Sequence, residues 1–287
     1  DLAPQTARMD AHSGAEEGGT RLGYAGSTLQ STPQSVISGR APIQLGAELF
    51  GSNAIEADSE IIGLMLSTFE CAGVSRPLTL DIGHIGIYDA LFSDAGLDPE
   101  LENQVFDALQ RKSTPDIERL SASLPAREAE RLARLVSLHG SPDVLASARA
   151  AFPDEPAVMA ALDQLDTVLA GVQRAFPDVG VYVDLTELRG FRYHTGLVFA
   201  VYLEGRGSAV AKGGRYDNIG AVFGRDRPAT GFAIDLKALI DDVQQNETTD
   251  APVIAPQSDD AGLRAAVNAL RSAGRTVIMD VAPGVDL

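Results

Sequence analysis

The sequence predicts an α+β fold: an antiparallel sheet flanked by helices, with a helical insertion and the start of a small C-terminal α/β domain. Three observations predict it. Short apolar runs typical of strands occupy 1–51 and return between 179 and 234. Between 85 and 176, apolar residues recur at helical spacing, divided by breaks that contain proline or glycine. A strand–helix–strand pattern ends the chain.

The expected domain boundary is the linker at 245–251, which is polar and contains Asn, Glu, Thr and Asp. We therefore expect a core domain at 1–244, with the helical insertion at about 85–176, and a partial α/β domain at 252–287.

The individual elements follow from residue spacing. Asp1–Gly51 is expected to be a sheet element, and Asn53–Ala72 a helix that Gly73 ends, because its apolar residues recur at three- and four-residue steps. A hairpin turn is expected at Glu204–Gly207, and a helix at Asp235–Gln244. The expected strands of the core are Leu22–Leu29, Ile43–Phe50, Leu78–Ile82, Val179–Leu185, Gly190–Leu203, Ser208–Lys212 and Thr230–Ile234.

Composition limits the possible partners. The chain has 23 basic and 40 acidic residues, a formal charge of −17, which disfavours binding to RNA because phosphates are neutralised by Lys and Arg. No apolar run is long enough to span a membrane. The single cysteine, Cys71, predicts a reducing cytoplasm and is itself expected to be a small buried residue. The four histidines are too dispersed to predict a metal site.

One strand carries a polar face. Residues at even spacing on a strand share a face, so Gln44, Gly46 and Glu48 point to one side. The alternate residues Leu45, Ala47 and Leu49 point to the other side. This pattern predicts either a polar ligand-binding floor or an antiparallel sheet with one solvated face, and periodicity alone favours the second interpretation.

Three segments, in this order, resemble the catalytic core of the histidyl-tRNA synthetase family, a class II synthetase. Gln44-Leu45-Gly46-Ala47-Glu48 is similar to its second class motif, and Arg189-Gly190 through Phe199 to its histidine-specific motif. Gly213-Gly214-Arg215-Tyr216-Asp217 and Gly231-Phe232-Ala233-Ile234 resemble the remaining core. The resemblance covers most of 1–244 and implies a class II aminoacyl-tRNA synthetase-like fold.

Two departures from that family concern ATP. The resemblance implies arginines that hold ATP at two positions where this chain has Gln30 and Ala238. A guanidinium binds phosphate through a charge-assisted, bidentate contact that an amide or a methyl group cannot replace. Lys237, beside Ala238, is expected to face the wrong side to compensate. We therefore expect no adenylation, and no cofactor.

The histidine pocket of the family is better preserved. The resemblance implies that Glu48 accepts a hydrogen bond from an imidazole, that Asp1 and Gln44 bind an α-amino group, and that Arg189 stabilises a carboxylate. His194 stands where the family has a second tyrosine, which affects affinity and ligand identity. The implied ligand-binding residues are Asp1, Gln44, Glu48, Arg189, Tyr193, His194 and Tyr216.

A chain that keeps the histidine pocket and lacks the ATP contacts resembles the regulatory paralogue that partners short-form ATP phosphoribosyltransferase. The resemblance implies a non-catalytic subunit in the first step of histidine biosynthesis, a homodimer within a hetero-oligomer that contains the catalytic subunit, and L-histidine as a ligand. It implies no tRNA partner. Histidine has two candidate binding sites, one within this chain and one at the junction between subunits. The alternatives are a working histidyl-tRNA synthetase core and another synthetase-derived binding module.

Overall fold

The computed structural model describes residues 2–13, 18–29, 40–188, 193–240, 242–243, 251–256, 258 and 260–280. The chain divides into two compact units, 1–244 and 245–287.

The first unit contains eight strands, nine α-helices and two short 3-10 helices, Ser93–Ala95 and Ala221–Phe223, within its described residues. The strands are Thr20–Ser27 (β1), Ile43–Phe50 (β2), Leu78–His84 (β3), His139–Gly140 (β4), Gly180–Asp184 (β5), Leu197–Leu203 (β6), Ala211–Arg215 (β7) and Ala229–Asp235 (β8). The helices are Ala3–Ser13 (α1), Ile55–Cys71 (α2), Ile85–Phe92 (α3), Pro99–Gln110 (α4), Thr114–Ser121 (α5), Ala126–Leu135 (α6), Val144–Ala151 (α7), Pro156–Ala175 (α8) and Leu236–Leu239 (α9).

All eight strands form one sheet in the order β1-β2-β8-β7-β6-β3-β5-β4. Neighbouring strands are antiparallel except β3 and β5, which are parallel. Helix α8 packs on both α2 and α3, and all three helices pack on strands of the sheet. Their apolar residues share one large core with side chains such as Phe199, Phe232 and Ile234. The predicted fold class, a sheet flanked by helices, is confirmed, with one parallel strand pair added.

Helix α2 shows how the sequence sets this core. Its apolar residues Ile62, Met65, Leu66 and Phe69 recur at three- and four-residue steps, and all four are fully buried. The helix ends at Cys71 because Gly73 adopts a left-handed φ of 69°. The amide groups of Gly73 and the next residue then bond back to carbonyls of the last turn.

Several expected elements are wrong. Ala3–Ser13 forms helix α1, although all of Asp1–Gly51 was expected to be a sheet element. The helix after β8 ends at Leu239 rather than at Gln244, and Val243 instead forms a bridge with Val74. Cys71 is exposed, since it lies at the last turn of α2 on the side away from the core.

Buried ion pairs tie the strands to the flanking helices. The Arg215 guanidinium of β7 bonds to Asp58 of α2 at 2.7 Å, and both side chains are nearly inaccessible. It also reaches Asp217 and the carbonyl of Ser52 at 3.0 Å each. On the other side of the unit, Arg227 contacts Asp10 of α1 at 2.9 Å. Because breaking a buried pair leaves an uncompensated charge, these contacts fix the positions of α1 and α2 on the sheet.

A third buried carboxylate stands at the end of the first unit. The side chain of Asp242 is fully inaccessible, and its two oxygens lie 2.6 Å from Arg76 and 2.5 Å from Arg206. Neither contact has the near-linear geometry of a hydrogen bond, so the attraction is mainly that of opposite charges. Arg206 belongs to the turn between β6 and β7, which is thereby held against the segment that precedes the second unit.

The second unit is a parallel strand–helix–strand motif: Val253–Pro256 (β9), Ala261–Ser272 (α10) and Val277–Asp280 (β10). Ala255, Val267 and Val277 form its small apolar core. Asp260 begins α10 by accepting a hydrogen bond from the amide of Leu263 at 2.7 Å. In the described part of both units, no helix combines the length and the apolar character that a membrane crossing requires.

Candidate functional site

A cavity of about 740 Å³ lies on the face of the sheet opposite the main apolar core. Its floor is formed by residues of six adjacent strands, β1, β2, β8, β7, β6 and β3. Gln44 and Glu48 come from β2, and Lys212 and Gly214 come from β7. A volume of this size is in the range of small-molecule binding sites.

Glycines lower this floor so that larger side chains can lie across it. A Cβ at Gly46 would stand 2.4 Å from the Tyr24 ring, and one at Gly231 would stand 1.5 Å from Oε2 of Glu48. A Cβ at Gly214 would lie 2.6 Å from the His194 ring. Real Cβ atoms do not approach other atoms so closely, so each of these side chains needs the glycine beneath it.

Glu48 is the buried acid of the cavity, with 2% of its surface exposed. Its Oε1 accepts a hydrogen bond of 3.0 Å from the Tyr24 hydroxyl, and its Oε2 has no hydrogen-bond partner among the described residues. Burial raises the pKa of Glu48 to about 8, although the bond from Tyr24 opposes this effect. The carboxyl group is therefore mostly protonated at neutral pH.

Aromatic side chains form a wall above the floor. The Tyr193 ring stacks on Tyr216 with centroids 5.1 Å apart, and it meets His194 edge-on at 5.2 Å. The Tyr216 hydroxyl and Oε1 of Gln44 are buried, and neither has a hydrogen-bond partner among the described residues. Buried polar atoms are rarely left unsatisfied, so these two groups are suited to bind a polar ligand.

Charged residues surround the rest of the cavity. Arg206, Lys212 and Lys237 line it, as do the acids Asp81 and Glu187. Oxygens of those two acids and of Asp184 lie within 4.8 Å of one another. Asp184 is already occupied by structural contacts, since it accepts bonds from Lys112 at 2.6 Å and from the Thr186 hydroxyl at the same distance.

The structure brings most of the expected site residues together. Those that line the cavity are Gln44, Glu48, Tyr193, His194, Tyr216 and Ala238. The expected site residues Asp1, Gln30 and Arg189 lie outside the described residues. The expectation that Lys237 faces away is wrong, because it lines the cavity and its Nζ donates to the carbonyl of Ala41 at the rim.

Sequence reasoning missed two features of the site. Tyr24 was expected only to be part of a strand, and Gly231 only to be part of a motif, so neither was expected to shape the site. The hairpin register could have indicated the first, because Tyr24 pairs directly with Gly46, and a ring opposite a glycine folds over it. The second needs the pairing of Gly231 with Glu48 across two distant segments, which no local pattern indicates.

The sheet, its helical insertion and the cavity define a histidyl-tRNA synthetase-like core. A family model described as histidyl-tRNA synthetase matches residues 1–239. A structure from Nostoc sp. PCC 7120, titled histidyl-tRNA synthetase, shares the fold with a TM-score of 0.70 at 17% identity, covering 98% of this chain and 69% of that chain. The class of protein is therefore that of the class II synthetase-like cores.

Relatives with higher sequence identity to this chain are named differently. A protein of Ectopseudomonas mendocina named ATP phosphoribosyltransferase regulatory subunit is 48% identical, covering 97% of this chain and 71% of the relative. A Bacillus halodurans structure titled ATP phosphoribosyltransferase regulatory subunit/histidyl-tRNA synthetase has a TM-score of 0.83 and 26% identity, covering all of this chain and 75% of that chain. Residues 250–285 match the model of the ATP phosphoribosyltransferase subunit HisZ C-terminal domain. The chain belongs to the family of ATP phosphoribosyltransferase regulatory subunits.

A complex of HisG and HisZ from Thermotoga maritima, titled ATP phosphoribosyl transferase, also shares the fold. Its TM-score is 0.64 at 22% identity, covering 82% of this chain and 79% of that chain.

Replacing Glu48 by glutamine should make stability less dependent on pH. The folded protein keeps a proton on Glu48 until its pKa of about 8, whereas the unfolded chain releases it near 4.5. The free energy of unfolding therefore falls as pH rises between these values. Glutamine mimics the protonated acid, so Glu48→Gln should gain about 2–4 kcal/mol over the unchanged protein between about pH 5 and about pH 8.

Denaturant unfolding of both proteins at the two pH values measures this difference. The matched control is Glu118→Gln, the same change at an exposed position. An equal response of the two variants to pH would contradict a raised pKa at Glu48.

Proposed function

We propose that the chain acts without chemistry of its own, as a regulatory subunit that binds a histidine-like ligand in the sheet cavity and docks on the catalytic subunit of ATP phosphoribosyltransferase. Membership of the family supports the regulatory role. The observation that carries the ligand proposal is the buried Glu48 carboxyl group, held over Gly231 with one oxygen unpartnered in the described structure.

The cavity has the chemistry that an imidazole requires. A protonated Glu48 donates a hydrogen bond to a neutral imidazole nitrogen, or passes its proton to the ring and forms an ion pair. Gln44 presents an acceptor oxygen on the same strand face, which suits an ammonium group. The stacked rings of Tyr193 and Tyr216 supply a flat apolar wall. Together these groups fit a small amino acid with a basic ring.

The same cavity lacks a guanidinium at the position of Ala238, which lines it. A methyl group leaves a triphosphate without one of its bidentate partners, and Gln30 is a neutral amide at the second expected position. We propose that the adenylation chemistry of the related synthetases is lost for this reason. The formal charge of −17 also disfavours tRNA as a partner.

Adding a methyl group under Glu48 should weaken ligand binding. The Cβ of Gly231→Ala would collide with Oε2 of Glu48 and displace the carboxyl group. We expect calorimetric titration to show an affinity for L-histidine at least about 10- to 100-fold lower, the value of a hydrogen bond to a charged group.

Gly207→Ala is the matched control, because Gly207 lines the same cavity and an added Cβ meets nothing within 4 Å. Glu48→Gln provides a second variant that does not add volume. If Gly231→Ala binds histidine as tightly as Gly207→Ala and the unchanged protein do, histidine does not bind at Glu48.

Docking predicts an effect on a second protein. The purified chain should form a complex with the short catalytic subunit and raise its rate, and histidine should lower the rate of the complex by about 5- to 150-fold, the usual range of coupling between sites. Size-exclusion chromatography and a phosphoribosyl-transfer assay measure the two effects. A catalytic subunit that neither binds the chain nor changes its rate would exclude the proposed role.

One observation favours the alternative of a working synthetase core: Lys237 lines the cavity beside Ala238 and places a cation near the lost arginine position. A lysine is a point charge without the bidentate geometry of arginine, so we expect it not to restore ATP binding. Histidine-dependent exchange between pyrophosphate and ATP tests this expectation. We expect no exchange, and exchange at a synthetase-like rate would establish the alternative.

A further inference from the structure

The Tyr24 ring crosses the strand that lies between β1 and β8. Tyr24 pairs with Gly46 of β2, and Gly46 pairs in turn with Ala233 of β8. A Cβ at Gly46 would stand 2.4 Å from the Tyr24 hydroxyl and 2.3 Å from the carbonyl oxygen of Phe232, so a larger residue would block the ring. The hydroxyl group of a β1 residue thereby reaches groups of both β2 and β8.

Two acceptor oxygens lie within reach of the single hydrogen of this hydroxyl group. Oε1 of Glu48 lies 3.0 Å from the Tyr24 oxygen, and the carbonyl oxygen of Phe232 lies 3.3 Å from it. A phenol has one O–H donor, so the two acceptors compete for it. Hydrogen bonds to ionised acceptors are shorter and roughly twice as strong as those to neutral ones. The bond from Tyr24 to Glu48 is therefore strongest when Glu48 carries a charge.

The phenol groups near Glu48 remain donors. Burial, and next the charge of Glu48, raise the pKa of Tyr24 well above its ordinary value. Tyr193 of the cavity wall is a second phenol that Glu48 affects, and burial followed by the charge of Glu48 raises its pKa also. Of these three acids, Glu48 has the lowest pKa and is the one that loses its proton first.

The bond from Tyr24 defines the position of that proton. Because Oε1 of Glu48 accepts from Tyr24, the hydrogen of the protonated carboxyl group lies on Oε2. Oε2 has no hydrogen-bond partner among the described residues, and it stands over Gly231, where a Cβ would lie 1.5 Å from it. Tyr24 thus determines which oxygen of Glu48 is left for a ligand, and that oxygen carries the proton.

We propose that Tyr24 is a positioning residue that makes Glu48 bind the basic ring of a ligand as a cation. The O–H bond at Oε2 breaks, an N–H bond forms at the unprotonated ring nitrogen, and the carboxylate that remains keeps the hydrogen bond from Tyr24. This role rests on the proposed function and defines its ligand further: the ring must be basic enough to take a proton from the buried acid. Imidazole meets this requirement, and an azole of the same shape but much weaker basicity does not.

The competing role for Tyr24 is structural. A ring that only fills the space over Gly46 would support the floor equally well without its hydroxyl group. Glu48 would then keep its proton and bind a neutral ring, so that basic and weakly basic azoles would respond alike to a change at Tyr24. The two roles therefore differ in the charge of the bound ring and in the preference for a basic ligand.

Nitrogen NMR of L-histidine labelled at both ring nitrogens measures the charge of the bound ring. At about pH 8 the ring of free L-histidine is neutral. We expect both nitrogens of the ligand bound to the unchanged protein to give the resonances of an imidazolium. In Tyr24→Phe, which keeps the ring and removes the hydroxyl group, we expect one nitrogen to give the resonance of an unprotonated atom.

Calorimetric titration of two ligands measures the preference for a basic ring. The triazole analogue of L-histidine has the same shape and a far less basic ring. We expect the affinity of Tyr24→Phe for L-histidine to fall about 10- to 100-fold, the value of a hydrogen bond to a charged group, whereas its affinity for the triazole analogue stays within about twofold of the unchanged protein.

The matched control is Tyr182→Phe, which removes a hydroxyl group bonded to His139 at 2.8 Å and lies outside the cavity lining. It should change neither affinity nor the charge of the bound ring. A neutral bound ring in the unchanged protein, or a Tyr24→Phe variant whose affinities for the two ligands change alike, would overturn the role of Tyr24 and leave the histidine pocket intact. If the unchanged protein does not bind L-histidine, the proposed function fails, and the role of Tyr24 fails with it.

Discussion

The candidate site depends on the absence of side chains from the sheet beneath it. Glu48 can lie flat across β8 only because residue 231 has no Cβ, and the Tyr24 ring needs the same freedom above Gly46. The acid is thereby buried, none of the described residues forms an ion pair with it, and burial raises its pKa to about 8. The position and the protonation state of Glu48 thus both depend on the missing Cβ at residue 231. The same glycines make the cavity deep enough for a small molecule.

Arg215 and Asp217, two polar residues of the motif at 213–217, hold the fold together rather than line the cavity. Arg215 binds Asp58 and Asp217, and Asp217 in turn accepts from Thr195 at 2.9 Å and from the amide of Ala229 at 3.1 Å. These bonds join the segment before β6 to β7 and β8 and so position His194 against Tyr216. Because the motifs have this structural role, their presence in a sequence indicates the fold and does not by itself indicate catalysis.

The sequence predicts the sheet faces well because strand alternation has a fixed period of two. Gln44 and Glu48 line the cavity while Leu49 joins the core, as their spacing indicates. Helix α1 could not be found in this way, since it is anchored by small buried residues such as Ala3 and Ala7 and by the distant Arg227. The direction of Lys237 depends on how β8 passes into α9, which only the three-dimensional structure defines.

The charge of the whole chain bears on how such a cavity selects a ligand. A surface with a formal charge of −17 attracts any cation, so attraction at long range cannot distinguish a histidine-like molecule from other amines. Around its buried acid the cavity offers little charge, because Glu48 is mostly protonated at neutral pH, and Gln44 and Tyr216 contribute only dipoles. Selection then depends on buried donors and acceptors, which reject an analogue that leaves them unpaired far more strongly than an apolar pocket rejects a missing methylene. A cavity of this kind can retain its specificity after losing the groups that performed chemistry on the ligand, which explains how a synthetase-like core can serve as a regulatory one.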